Sequence, residues 1–164
     1  MRIVVLGIGN ILLSDEGVGV RALELLHATW ELPAGVSLID GGTSAMELLD
    51  ELENVDLLIV LDAVRAGRAP GNLIHLTGDK VPVFFRTKLS PHQIGLADVL
   101  ASLDLLGTPP RETVIFGVEP LCLETGLELS EPVAAGLPEM AHRVVDELGA
   151  RGVTLRPRSV VAAA

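Results

Sequence analysis

Cysteine is almost missing from this chain: Cys122 stands alone, so no internal disulfide can form. No histidine or lysine flanks it in Pro120-Leu121-Cys122-Leu123 to stabilise a thiolate, and it reads as a small buried hydrophobe rather than a nucleophile. Aromatic residues make up only 2% of the sequence, with Trp30, Phe84, Phe85, Phe116 and no tyrosine. That scarcity excludes a base-stacking platform and leaves the core to Val, Leu, Ile and Ala. Positive charge is also scarce, 12 Lys and Arg against 22 Asp and Glu for a net charge of −10, which opposes nucleic acid and anionic membrane surfaces as partners. No apolar run approaches the roughly 20 residues needed to cross a bilayer. Met1 leads straight into an apolar strand without an Arg-flanked leader, and the expected compartment is the cytoplasm. A serine nucleophile elbow is missing too: Gly42-Thr43-Ser44-Ala45-Met46 lacks the second glycine, so any hydrolysis here would be metal-assisted.

What is present is a regular alternation of aliphatic runs and helix-period segments. Arg2–Leu6, Val36–Asp40, Val55–Leu61, Asn72–Leu76 and Thr113–Val118 read as strands, and Gly17–Glu31 and Ser44–Glu53 as helices. The first three runs are too uniformly apolar for a half-exposed sheet. They predict an α/β fold of three layers: a twisted, mostly parallel sheet of about five strands with helices on both faces. Ser44-x-x-Glu47 and Ser90-Pro91-x-Gln93 have the form of capping boxes, the second with proline at the first helical position. Val133, Leu137, Met140, Val144 and Leu148 keep helical spacing through Pro138, so the last helix either kinks there or begins there. A single domain over 1–152 is expected, with 153–164 a frayed tail. Ala63–Gly71 and Gly78–Ser90 are the long loops, and the apolar, partly basic stretch Lys80–Lys88 with Phe84-Phe85 serves equally well as a docking patch or as core.

The segment after the first strand, Gly7-Ile8-Gly9-Asn10 through Asp15-Glu16-Gly17-Val18-Gly19, begins like a dinucleotide fingerprint. The third glycine is replaced by Leu12, however, and two carboxylates stand where a phosphate would go. A cationic guest fits better. Ligands of open α/β sheets gather beyond the carboxyl ends of the strands, and four polar residues are expected there: Glu16 after strand one, Asp40 at the end of strand two, Asp62 at the end of strand three, and His92 at the start of the helix after the second long loop. Singly, each has a structural use: Asp40 before Gly41-Gly42 as an Asx turn, Asp62 as a turn cap, His92 as a helix-start residue. Together, two carboxylates and an imidazole suit Ni, Zn, Fe or Mn and leave coordination positions open. The positive end of the helix dipole is expected to keep His92 neutral. His27, His75 and His142 are expected to be structural or solvated.

These blocks, with Asp40-Gly41-Gly42-Thr43, Asp62-Ala63-Val64, Ser90-Pro91-His92 and Gly117-Val118-Glu119-Pro120, resemble the maturation endopeptidases of nickel-iron hydrogenases from Arg2 to about Leu148. The resemblance implies that Glu16, Asp62 and His92 hold a metal and act in catalysis. Asp40 is carried over as a candidate base or positioning residue. It implies as substrate the precursor of a hydrogenase large subunit, trimmed of its C-terminal extension once nickel is inserted, with the nickel supplied by the substrate and replaceable by other divalent ions. An aspartyl-type or metal-dependent mechanism, and a monomer with no nucleic-acid or membrane partner, complete the expectation. Two alternatives stay open: a metal-checkpoint protein that binds the precursor without cutting, and a nucleotide-binding domain.

Overall fold

The structure, a computed structural model, describes residues 1–87 and 90–159. The chain runs β1 (Ile3–Ile8), a 3-10 turn (Ser14–Gly17), α1 (Val18–Thr29), β2 (Trp30–Glu31), β3 (Val36–Gly42), a second 3-10 turn (Ala45–Leu48), α2 (Leu49–Leu52), β4 (Leu57–Ala63), β5 (Leu73–Leu76), α3 (Lys80–Phe84), α4 (Pro91–Leu106), β6 (Glu112–Val118), α5 (Glu131–Ala150) and β7 (Arg156–Pro157). A five-stranded sheet has the order β3-β1-β4-β6-β5. β1 pairs in parallel with β3 and β4, and β4 in parallel with β6.

Side-chain alternation along the central strands divides the interior into two cores. Ile3, Val5, Leu57, Ile59, Leu61, Val114, Phe116 and Val118 pack against Leu23 and Leu26 of α1 and Met140, Val144 and Leu148 of α5. Val4, Leu6, Ile8, Leu58, Val60 and Ile115 face the other way, onto Leu52 of α2 and Leu96, Val99 and Leu103 of α4. Both faces of the sheet are therefore covered, which is why these strands read as unbroken apolar runs, and the predicted three-layer architecture is observed. Among the described residues no helix is long and apolar enough to cross a membrane.

β5 runs antiparallel to β6 at the sheet edge, within the expected mostly parallel sheet. Two local expectations change. The predicted helix Ser44–Glu53 is a 3-10 turn followed by the single turn of α2, and Ser44, at φ −105° and ψ 65°, makes no side-chain cap. Of the two possibilities for the last helix, the one in which it begins at Pro138 is ruled out, since α5 spans Glu131–Ala150 with that proline inside it. The predicted frayed tail is tied back as far as Arg158: Leu155 is buried, β7 pairs antiparallel with β2, and Arg158 donates from its backbone N to the Thr29 carbonyl at 2.8 Å and from Nε to the His27 carbonyl at 2.6 Å. Positions 160–164 lie outside the described residues, as does Lys88 of the Lys80–Lys88 stretch. Phe84 and Phe85 of that stretch meet edge to face at 5.1 Å and pack, half-buried, against the core.

One buried charge fixes the loop after β1. Asp15 is fully buried, and its carboxylate accepts the N–H groups of Leu121 and Cys122 (both 2.9 Å) and the N–H and hydroxyl of Ser130 (both 2.7 Å). Alongside, the Ser14 N–H reaches the Gly126 carbonyl at 2.8 Å and the Ser14 hydroxyl the Glu124 carbonyl at 2.7 Å. Burial alone would raise the Asp15 pKa, but the bond from the Cys122 backbone, then those from Ser130 and Leu121, overcome it and hold the carboxyl below its ordinary 3.8. Asp15→Asn replaces an acceptor with a group that brings its own N–H donors against these four. It should lower unfolding free energy by about 2–4 kcal/mol at neutral pH in a urea titration. Because the folded-state pKa is depressed, the carboxylate's contribution is complete above 3.8 and is lost as pH falls through the folded value, so the gap between wild type and variant should close in acid.

Candidate functional site

The first loop is shaped by glycines that let chain segments touch. A Cβ on Gly7 would lie 2.6 Å from both the Gly19 carbonyl oxygen and Leu23 Cδ1, so β1 and α1 meet here through Gly7 and Gly19. Gly9, at φ +126°, lies directly under the Glu16 carbonyl, where no side chain fits. The close helix–strand contact that a third fingerprint glycine would make is thus supplied by Gly19, and the glycines of this loop are occupied by the chain itself. That leaves no cradle for a pyrophosphate, and the nucleotide-binding alternative loses its main support.

Glu16, carried on the 3-10 turn, meets side chains from β4 and α4. His92 Nδ1 lies 2.9 Å from Glu16 Oε1, and His92 Nε2 lies 3.2 Å from Asp62 Oδ1. The Ser90 hydroxyl is 3.3 Å from Nδ1 and 3.2 Å from Nε2. Asp62, 1% exposed, is further held by the Ala63 N–H on Oδ1 at 2.8 Å and by Gln93 Nε2 on Oδ2 at 2.6 Å. Gln93 also donates to the Ala63 carbonyl at 3.1 Å, and its Oε1 accepts the Ser90 N–H at 3.0 Å, the predicted capping bond. Gln93 thus joins the helix start to the end of β4. Its role at Asp62 was hidden in the sequence behind its role as a cap.

Burial and charge compete at this site. Burial pushes the His92 pKa down, but the hydrogen bond and charge of Asp62, and then those of Glu16, push it further up, so the imidazolium is favoured. The shift expected from the helix dipole is thus reversed in direction, because the two carboxylates outweigh it. Each ring nitrogen faces one carboxylate, an arrangement that a doubly protonated ring satisfies on both sides. Asp62 shifts up as well, chiefly because it is buried away from water, against the bonds from His92, Gln93 and Ala63. The groups are also less open to solvent than expected, since the His92 side chain is 4% exposed and that of Glu16 15%.

Glu16 and His92 open into a cleft of about 420 Å³, walled by Phe84, Pro120 and Leu123 with Arg65 at its edge. Asp62 stands behind His92 and does not line this cleft. Asp40 lies on the same rim of the sheet but does not join the other three: it is exposed, its Oδ1 accepts the Gly42 N–H at 2.9 Å, and it lines a separate recess with Asn10, Leu12 and Thr43. Among the described residues, no three His, Cys, Asp or Glu side chains form a ready-made metal cage. Both His92 nitrogens are engaged by carboxylates, so a metal would have to displace one of them. Cys122 is half-buried, and its contribution is its backbone, which exchanges hydrogen bonds with Asp15. His75 stacks on Phe116 at 4.6 Å, and His142 meets Trp30 edge-on at 6.3 Å. Glu119, buried, accepts the Ala66 N–H on Oε2 at 2.7 Å and fixes the loop after β4, a role that nothing in its sequence neighbourhood signals.

Residues 20–147 match the family model described as hydrogenase maturation protease. The chain is 43% identical over 162 residues to the hydrogenase 2 maturation protease of Escherichia coli strain K12, covering 98% of this chain and 99% of that protein. It is 46% identical over 159 residues to the hydrogenase expression/formation protein HupM of Azotobacter chroococcum mcd 1, covering 96% and 76%. The solved structure of the hydrogenase maturating endopeptidase HybD from E. coli superposes with a TM-score of 0.92 at 44% identity, covering 96% of this chain and 98% of that one.

The upward shift of His92 has a direct test. In an NMR titration the His92 ring should change protonation above the ordinary 6.5, and Glu16→Gln should lower that midpoint. The stability it contributes is complete below the unfolded-state value and is lost as pH rises through the folded one. A midpoint at or below 6.5 in the wild type would contradict the bridged imidazolium.

Proposed function

The chain belongs to the hydrogenase maturation protease family, and from that premise we propose that it removes the C-terminal extension of a nickel-loaded large-subunit precursor, recognising the substrate's own nickel through Glu16, Asp62 and His92. As a member of that family it is an endopeptidase and a hydrolase. The observation that carries the finer reading is that three separate segments bring Glu16 and His92 to one cleft, with Asp62 bonded to His92 from behind.

The donor set is chemically apt. Two carboxylate oxygens and one imidazole nitrogen form an incomplete shell of borderline hardness, suited to a metal whose other positions are filled by the precursor. Nickel enters as cargo of the substrate. Its arrival would exchange the proton shared between His92 and its carboxylates for a metal bond, so the resting imidazolium keeps the two anions together until a cation replaces it. In this reading the metal serves as a docking handle that sets the scissile bond in the cleft, and a water there adds its oxygen to the carbonyl carbon while the departing amine takes a proton. Asp40, outside the cleft, is assigned to positioning the bound segment rather than to proton transfer. Other divalent ions with similar donor preferences would substitute for nickel. The enzyme acts as a monomer on its precursor.

The test is to mix the purified protein with nickel-loaded and nickel-free precursor and weigh the large subunit by mass spectrometry. Loss of a C-terminal peptide only from the nickel-loaded form is expected. His92→Ala and Glu16→Gln should each slow that loss by about 100-fold or more, the upper end of what losing a residue that merely supports a metal ligand costs. Equal trimming of nickel-free precursor would overturn the recognition step. An unchanged mass in both would turn the protein into a non-cleaving checkpoint.

A further inference from the structure

The loop after β4, strand β5 and helix α3 enclose a second groove of about 440 Å³. Its apolar lining comes from Ile74 and Leu76 of β5 and from Val83 and Phe84 of α3, with Val83 left 55% exposed. Arg65, Arg68 and Lys80 line its rim, with Asp79 the single acid among the lining residues. The groove continues into the cleft that holds Glu16 and His92, because Arg65, Phe84 and Thr87 line both.

The charge here runs against the rest of the molecule. The chain carries a net −10, and Arg21, Arg111, Arg143 and Arg151 each pair with a carboxylate. Among the described residues, none of the three groove cations has such a partner; Arg2, Arg86, Arg156 and Arg158 also lack one, but none of these lines the groove. Of the three, Arg68 is held by its Nη1 donating to the Leu73 carbonyl at 3.2 Å, and the Glu119 carboxylate fixes the backbone of the loop that carries both arginines through the Ala66 N–H. An apolar floor under a preset cationic rim, in a protein otherwise repelling anions, matches one kind of occupant.

We infer that this groove seats an apolar, acid-bearing segment of the precursor, the stretch that leads away from the scissile bond, with Arg65, Arg68 and Lys80 reading its carboxylates. The inference rests on the precursor-trimming reading above. It adds a specificity determinant outside the Glu16–His92–Asp62 cluster.

Precursors carrying extensions recoded to be acidic, neutral or basic at the same apolar framework separate the two readings. With the wild-type enzyme and nickel-loaded precursor, KM should rise from acidic to neutral to basic by about 3- to 10-fold end to end at constant kcat, and the spread should shrink at high salt. The double variant Arg68→Glu with Lys80→Glu, both at exposed positions, should invert the order. Trimming by the wild type with a KM order that the reversal leaves untouched overturns this inference alone. No trimming of any precursor by the wild type overturns the underlying reading with it. A wild-type dimer in sedimentation that the double variant dissolves, with KM order unchanged, makes the occupant a second copy and also overturns it.

Discussion

His92 is bonded at both ring nitrogens to carboxylates delivered by different parts of the fold, at 2.9 Å to Glu16 and 3.2 Å to Asp62. The ring lies between the two carboxyl groups, and a positive charge on it attracts both, which is why their presence raises its pKa against the effect of burial. The site's geometry hangs on that attraction. A cation between Glu16 and Asp62, whether a proton-bearing ring or a metal, is what bonds the two carboxylates to one another. The resting state is therefore already shaped for a positive guest.

Supporting that bridge are residues that do not touch the cleft. Gln93 links Asp62 to the start of α4, so the strand end and the helix that carries His92 move as one unit. Asp15 ties the turn that carries Glu16 to the loop before α5, and Gly9 and Gly19 bring the turn and α1 close enough for it to reach. Adjacent carboxylates thus have opposite uses. In a 3-10 turn successive side chains point about 120° apart, which sends Asp15 inward to backbone donors and Glu16 outward to the cleft.

The layered sheet was legible in the sequence because burial on both faces leaves the unbroken aliphatic runs of β1 and β4, a pattern few other environments produce. The C-terminal rim was legible for a topological reason, and three of the four polar residues expected there meet. The direction of β5 was not legible, since a four-residue strand with one buried side chain, Ile74, and one exposed, His75, pairs equally well either way. Nor was the anchoring of the tail, which depends on backbone bonds from Arg158 to α1 that no side-chain pattern announces. The different surroundings of Asp15 and Glu16 were hidden because both precede a helix, and the upward shift of His92 was hidden because the helix dipole is local in sequence whereas Glu16 and Asp62 reach the ring from distant segments. The roles of Gln93 and Glu119 were hidden for a related reason: each acts through bonds to groups far away in sequence, Gln93 to Asp62 and the Ala63 carbonyl, Glu119 to the Ala66 N–H.

On this mechanism Glu16, Asp62 and His92 touch the nickel carried by the substrate. X-ray absorption at the nickel edge of the loaded precursor, recorded with and without the enzyme, measures this directly. Adding the wild-type chain should bring new oxygen and imidazole-nitrogen scatterers into the nickel shell, and the nitrogen signal should vanish with His92→Ala. A nickel shell that stays unchanged while the precursor is bound and trimmed would contradict the claim.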